Sequence, residues 1–290
     1  MFCHITGSET YLTAEGKVRL DLLLLERGFS PNRSRAQALI MSGKVLVEGK
    51  LVDKPGATFL RDAHIELKAP PSIYVSRGGE KLASALEILT DLKIKGRICI
   101  DVGASTGGFT DLLLGRGAEL VYAVDVGRAL LHERLRFDNR VVVLEGVNAR
   151  YLNPDQFPKR PSLAVVDVSF ISLRLILPPL VRIMDEPDDI LVLFKPQFEV
   201  GRERVSKGGV VRKPRFVSEA LMQIISFAQE VGVFFRAIVA SAVFGPKGNR
   251  EFFVWFNRPG VRIAEEKISS QVNAAVVQAF EKRSKGANQN

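Results

Sequence analysis

Apolar and polar positions change their rhythm once along this chain, and the change divides it. From Lys17 to Lys68 the pattern is short-ranged. Leu20, Leu23, Leu24 and Arg27 recur at helical spacing, with Gly28 placed to cap the helix. Ser30-Pro31 then opens a second helix through Arg33, Arg35, Ala36, Ala38, Leu39 and Ile40, ending near Gly43. The run VLVEGKLV predicts a tight hairpin turning at Glu48-Gly49-Lys50, and HIELK a further short strand.

Ala69-Pro70-Pro71-Ser72 interrupts both kinds of pattern, since two prolines forbid strand or helix. Beyond it come seven strongly apolar runs: RICIDV, LVYAVDV, RVVVLEG, LAVVDVSF, DILVLFK, FFRAIVASAV and REFFVWF. Helical spacing fills most gaps between them, at 80–92, 109–114, 173–183 and 218–230. Apolar strands alternating with helices predict an α/β fold, a mostly parallel seven-stranded sheet covered on both faces. The last two strands lack a helix between them and are expected to be an antiparallel edge pair. The expected organisation is an extension over 1–16, a small domain over 17–68 and a linker over 69–76. The α/β domain then covers 77–267, and a C-terminal helix or tail 268–290.

Composition narrows the class. The 290 residues are 46% hydrophobic and 25% charged, ordinary values for a folded chain. The start has no apolar stretch of signal-peptide type, and the region 163–184 is broken by Asp167, Arg174 and two prolines, so a cytoplasmic protein without a membrane span is expected. Cys3 and Cys99 are too few and too far apart for a disulfide framework or a metal site, and no metal is expected. The formal charge of +9 is uneven: residues 201–290 alone carry 15 basic and 7 acidic side chains. GRERVSKGGVVRKPR holds the densest part, a balance suited to a polyanionic partner.

The candidate chemistry begins at DVGASTGGFTDLLL, where the first apolar strand after the linker turns into a helix. This has the form of a Rossmann-like ligand cradle, with Gly103 for the turn and Gly107 and Gly108 for close backbone approach. A dinucleotide site needs a second glycine for its pyrophosphate, and Ser105 stands there instead. Asp125, about twenty residues on at the next strand tip, can accept hydrogen bonds from ribose hydroxyls. A ribose-bearing cofactor without phosphate is S-adenosylmethionine, and its positive sulfur suits Asp101, Asp125 and Asp167; nicotinamide dinucleotide is the alternative. The residues assigned to the cofactor are Asp101, Gly103, Ala104, Ser105, Thr106, Gly107, Gly108, Phe109, Thr110, Asp125, Val126, Asn148, Ala149, Asp167 and Phe170.

Which atom would be methylated follows by elimination. The turn after the fourth strand reads Asp167-Val168-Ser169-Phe170 and lacks the paired prolines used for amino groups, while Cys99 sits inside a strand, away from its tip. A hydroxyl remains, and its proton must be removed. Lys195 at the exit of DILVLF, Lys81 in SRGGEKL, Asp167 and Glu251 can share one cleft, with Lys195 as base and the other three orienting it and a ribose.

The first domain resembles the S4 RNA-binding domain, through Arg19-Leu20-Asp21, Gly28, Ser34-Arg35, Ala38, Ile40, Gly43, Val45, Val47, Gly49, Asp62 and Ile65. That resemblance implies that Arg19, Arg33, Arg35 and Lys44 meet RNA phosphates. The ordered Lys–Asp–Lys–Glu set resembles the tetrad of FtsJ-like ribose 2′-O-methyltransferases. With YVSRGGEKL, VVDVSFISL, LFKPQFEVG and GPKGNREFF, the chain is similar to the TlyA (haemolysin A-like) family. The resemblance implies transfer of a methyl group to a cytidine 2′-hydroxyl of ribosomal RNA within a ribosomal subunit. Two alternatives stay open: a non-catalytic RNA-binding or ribosome-assembly factor, and a membrane-active haemolysin. Self-association is not readable from the chain.

Overall fold

The computed structural model describes residues 16–67, 73–245 and 247–286, with side chains to 281. The extension expected over 1–16 and the Pro-Pro stretch of the linker therefore fall almost wholly outside the described residues. The chain forms two compact units that divide between Ile73 and Tyr74.

The first unit runs β1 (Lys17–Arg19), α1 (Leu20–Glu26), α2 (Arg33–Met41), β2 (Val45–Val47), β3 (Lys50–Val52), β4 (Thr58–Leu60) and β5 (Ile65–Leu67). Strands β3, β2 and β5 form one antiparallel sheet, and β1 pairs with β4. The hairpin turn is Glu48-Gly49 alone, with φ of 50° and 72°, and Lys50 already belongs to β3. Two successive left-handed residues match the twist of the flanking strands. Helix α2 is capped by Asn32, whose side chain accepts from the Arg35 amide at 2.9 Å; it begins two residues later than Pro31 suggested. Leu20, Leu23, Leu24, Ala36, Ile40, Val45 and Val47 close the core.

One polar contact ties this small core together. The fully buried Asp21 carboxylate accepts from Arg19 Nη2 (3.0 Å), Arg33 Nε (3.0 Å) and Gln37 Nε2 (2.9 Å), joining α1 to α2. Burial alone would raise its pKa, but the hydrogen bonds from Arg19, Gln37 and Arg33 outweigh it and hold the carboxyl well below the usual range.

The second unit contains α3 (Arg77–Leu86), β6 (Ile98–Val102), α4 (Gly108–Gly115), β7 (Leu120–Asp125), α5 (Glu133–Arg136), β8 (Val141–Glu145) and β9 (Leu163–Val166). It continues with α6 (Leu177–Ile183), β10 (Asp188–Phe194), α7 (Pro214–Glu230), β11 (Phe234–Ala240), β12 (Phe252–Arg258) and α8 (Glu265–Gly286). The sheet order is β11-β12-β10-β9-β6-β7-β8. Only β12 runs against its neighbours, as the missing helix between the last two strands implied. Apolar clusters cover both faces of the sheet. The order of strands reverses between β6 and β9, so the crevice for a ligand lies at their carboxyl ends.

Two expected boundaries move. The unit starts at Tyr74 rather than 77, because the Val75 amide donates to Asp111 Oδ2 at 2.9 Å and Tyr74 packs against Gly79. The limit at 267 falls inside α8, whose Ile268, Val272, Val276 and Ala279 are buried in the core.

Replacing Asp21 by alanine is expected to cost roughly 2 kcal/mol at pH 7 by leaving two guanidiniums without their shared carboxylate. A depressed acid stabilises the folded form above its unfolded pKa of about 4 and loses that contribution in more acidic solution. Urea unfolding should therefore show the difference between wild type and Asp21→Ala shrinking below about pH 4.

Candidate active site

The turn from β6 into α4 is shaped by its neighbours. The Gly103 and Ala104 amides both donate to the Val124 carbonyl, at 2.8 and 3.1 Å. Gly103 has φ +86°, and a Cβ there would stand 2.5 Å from the Asp167 carbonyl oxygen. A Cβ on Gly108 would meet Ser76 Oγ at 2.2 Å and the Gly79 amide nitrogen at 2.7 Å. Neither position accepts a side chain. Gly107 serves differently: its Cα faces Leu131 and Leu135, so its bareness permits internal packing rather than ligand approach.

Two cavities open beside this turn. One of about 370 Å³ is lined by Ser76, Arg77, Gly78, Lys81, Asp101, Ala104, Thr106, Gly108, Phe109 and Phe244. The other, about 410 Å³, is lined by Asp125, Val126, Leu130, Asn148, Ala149, Ser169, Phe170 and Ile171 among others. Gly103, Ser105 and Asp167 belong to both, so the two adjoin across the cradle. Ser105 itself is left-handed (φ +48°) and exposed on the rim. Thr110 lines neither cavity. It is fully buried behind Asp101, to which it donates from its amide (2.8 Å) and its hydroxyl (2.7 Å).

The acidic residues divide into held and poised atoms. Asp101 Oδ2 takes both bonds from Thr110, while Oδ1 is buried with no hydrogen-bond partner among the described residues. Burial, with Asp167 and Asp125 nearby and Thr110 opposing, pushes this carboxyl up to about 7. Asp125 is oriented at the tip of β7 by the Ser105 and Gly127 amides, at 2.8 and 2.7 Å. Asn148 caps the turn at Ala149–Tyr151 through the Arg150 amide (3.1 Å). Phe170 is held at φ +63°, with its ring 5.0 Å from Phe198 and 91% exposed.

The four residues expected to act together form two ion pairs. Lys81 Nζ lies 2.7 Å from Glu251 Oε2, both nearly buried. Lys195 Nζ lies 2.6 Å from Asp167 Oδ1, out of line for a hydrogen bond, and donates instead to Ser169 Oγ at 2.9 Å. Antiparallel pairing explains the neighbourhood: Phe194 opposite Phe252 brings the residues just beyond, Lys195 and Glu251, to one end of the sheet. Ser169 was not singled out from the sequence, although it stands two residues beyond Asp167. Glu199 was also missed: it accepts from Ser172 Oγ (2.7 Å) and the Leu173 amide (2.8 Å), fastening the loop after β9 to the loop after β10.

Among the RNA-facing candidates of the first unit, Arg19 and Arg33 meet on Asp21 while staying partly exposed. Arg35 and Lys44 are half-buried at either end of α2. Cys99 is fully buried and its thiol is pushed up to about 12 by that burial, which removes it as a nucleophile. No group of three His, Cys, Asp or Glu able to hold a metal occurs among the described residues. Nor is any described helix long and apolar enough to cross a membrane.

A parallel sheet reversing order beside a glycine cradle, with a carboxylate at the next strand tip and no room at Gly103, defines a Rossmann-like S-adenosylmethionine-dependent methyltransferase. The residues present fit that cofactor. Asp125 can receive ribose hydroxyls, and the unpartnered Asp101 oxygen suits a cationic group. Residues 74–258 match the FtsJ-like methyltransferase family and residues 18–64 the S4 domain. The chain is 44% identical over 263 residues to the 16S/23S rRNA (cytidine-2′-O)-methyltransferase TlyA of Mycobacterium tuberculosis, covering 90% of this chain and 97% of that one. It is 40% identical to Hemolysin A of Brachyspira hyodysenteriae, covering 82% and 99%. A solved structure described as a hemolysin from Streptococcus thermophilus superposes with a TM-score of 0.75 at 38% identity, covering 95% of this chain and all of that one. The chain belongs to the TlyA (haemolysin A-like) family of S4-domain-containing, FtsJ-like methyltransferases.

Gly103→Ala should melt below the wild type, because the turn and the Asp167 backbone must shift, and should lose the rise in melting temperature that S-adenosylhomocysteine confers, read by thermal shift. Asp101 has a folded pKa above its unfolded value. The folded protein therefore keeps a proton that the unfolded chain gives up, and stability falls as pH rises from about 4 to about 7. Asp101→Asn should flatten that part of the melting-temperature profile of the cofactor-free protein.

Proposed function

We propose that this protein methylates the 2′-hydroxyl of a cytidine ribose in ribosomal RNA, in the cytoplasm, with Lys195 as the base. The observation that carries the reading is the double pair, Lys81 with Glu251 and Lys195 with Asp167, beside a cavity that Lys81 and Asp167 share with the Gly103 turn. The ribosomal substrate is supported by the S4 match and by the name of the Mycobacterium relative.

Asp125 would hold the ribose of the cofactor, Val126, Asn148, Ala149 and Phe170 its adenine side, and Asp101 with the Gly103–Thr106 backbone its amino-acid tail. When bound, S-adenosylmethionine supplies a methyl group on a positively charged sulfur that leaves as a neutral thioether. A ribose hydroxyl is a poor nucleophile while it keeps its proton. Lys195, aimed by Asp167 and Ser169, would act as the free amine and accept that proton as the hydroxyl attacks. Asp167 balances the ammonium that results. Lys81, anchored on Glu251, donates to the ribose and fixes its angle of approach. Holding the hydroxyl in line with an already activated methyl group supplies much of the acceleration.

In the first unit, Arg35 and Lys44, with the outward parts of Arg19 and Arg33, meet RNA phosphates. Purified Lys195→Ala should bind S-adenosylhomocysteine as tightly as wild type. Its transfer of tritiated methyl to ribosomal subunits from a strain lacking the enzyme should fall by about a hundredfold or more. Undiminished transfer would remove Lys195 from the chemistry. No transfer by the wild type to any ribosomal RNA would leave the RNA-binding factor as the better reading.

A further inference from the structure

We infer that the loop between β10 and α7, Gly201 to Arg215, is a phosphate clamp that grips the substrate RNA next to the reacting ribose. The inference rests on the RNA-methyltransferase reading above and adds a partner surface within the second unit.

Residues 201–215 carry six basic side chains against one acidic. The chain leaves the sheet at Phe194, at the carboxyl end where the cavities open, and this segment begins six residues after Lys195 and ends in the first turn of α7. Its cations are gathered rather than dispersed. Arg204, Lys213 and Arg215 all approach the ring of Phe216, with distances to its centre of 4.8, 5.4 and 4.9 Å. Three like charges around one ring repel each other. The ring face offsets part of that repulsion, and Glu219 and Glu203 pair with Arg204, at 2.7 and 3.7 Å. Lys207, Arg212, Lys213 and Arg215 are exposed. A polyanion with evenly spaced charges would relieve the remainder, with release of its counterions.

The loop is also fastened to the catalytic residues. Asn249, 2% exposed, accepts from the Val211 amide at 2.9 Å and donates to the Gly209 carbonyl at 2.8 Å. Two residues later the chain reaches Glu251, the partner of Lys81. A buried side-chain amide bonded at both ends fixes one loop against the other. Exposed Lys247 lies against Gly209 and extends the basic surface. A strand of RNA held on these cations would therefore be held at a set distance from the amines that receive its ribose.

The test is a double charge reversal, Lys213→Glu with Arg215→Glu, beside a control of equal charge change, Lys93→Glu with Lys95→Glu. The control residues precede β6, at the other end of the sheet. Filter binding to protein-free ribosomal RNA over a range of salt would be combined with methyl transfer to ribosomal subunits. The loop variant should bind RNA at least about tenfold more weakly, with a salt slope shallower by roughly 1.5, while the control changes little. Its KM for subunits should rise with kcat largely kept and S-adenosylhomocysteine affinity unchanged. Equal weakening in the control would reduce the effect to overall charge and overturn the clamp. So would unaltered RNA binding, or a loss seen with subunits but not with bare RNA, which would point to a protein partner. Weakened RNA binding in the absence of any wild-type methyl transfer would leave the clamp standing and overturn the enzymatic reading instead.

Discussion

Two lysine amines buried at the carboxyl end of the sheet, each against a carboxylate, set the terms for everything around them. Removing charges from water is costly, and a pair regains that cost only with close geometry and extra hydrogen bonds. Here each amine has a carboxylate within 2.7 Å, and Lys195 adds the Ser169 hydroxyl. A well-packed apolar substitute would serve stability equally well. Four ionisable groups drawn from α3 and three strand ends therefore meet at the carboxyl end of the sheet at no evident gain in stability, which is the ground for the catalytic role proposed above. The antiparallel β12 gives the clearest case: only a strand entering the sheet at that end can place Glu251 beside the exit of β10.

The cradle obeys the same logic from the other side of the crevice. Gly103 is squeezed against the Asp167 carbonyl, so the turn that lines the cavities also fixes the residue that pairs with Lys195. Thr110 secures one oxygen of Asp101 and leaves the other without a hydrogen-bond partner among the described residues. Glu199 and the Phe170–Phe198 ring contact clamp the loops after β9 and β10 to each other. The glycine turn and the Lys195–Asp167 pair are mechanically one object. Methyl transfer needs nothing less, because in-line attack tolerates little error in placement.

Much of this was legible in the chain. Long apolar runs define the seven strands, and Asp125, Asp167 and Lys195 stand at strand exits that the runs themselves locate. The pairing was not legible, because Lys81 on α3 and Glu251 ahead of β12 are 170 residues apart and meet only when the helix packs against the sheet. Local spacing also mistook supporting residues for contacts: Gly107 and Thr110 sit inside the ligand motif but face the interior. Strands β1 and β4, three residues each, are too short to announce a period. Helix α8 buries Ile268, Val272, Val276 and Ala279 at helical spacing, but serine, glutamine and asparagine between them keep the stretch too polar to stand out as a core element. In the first unit, Arg19 and Arg33 read as RNA contacts, and the structure gives them a second task on Asp21.

The most direct test is a crystal structure with S-adenosylhomocysteine bound. The ribose hydroxyls should lie on Asp125, and the sulfur at the junction of the two cavities beside Gly103, turned toward the amines of Lys81 and Lys195. A ligand whose sulfur faces away from both lysines, or one seated outside this crevice, would contradict the assignment of these residues to methyl transfer.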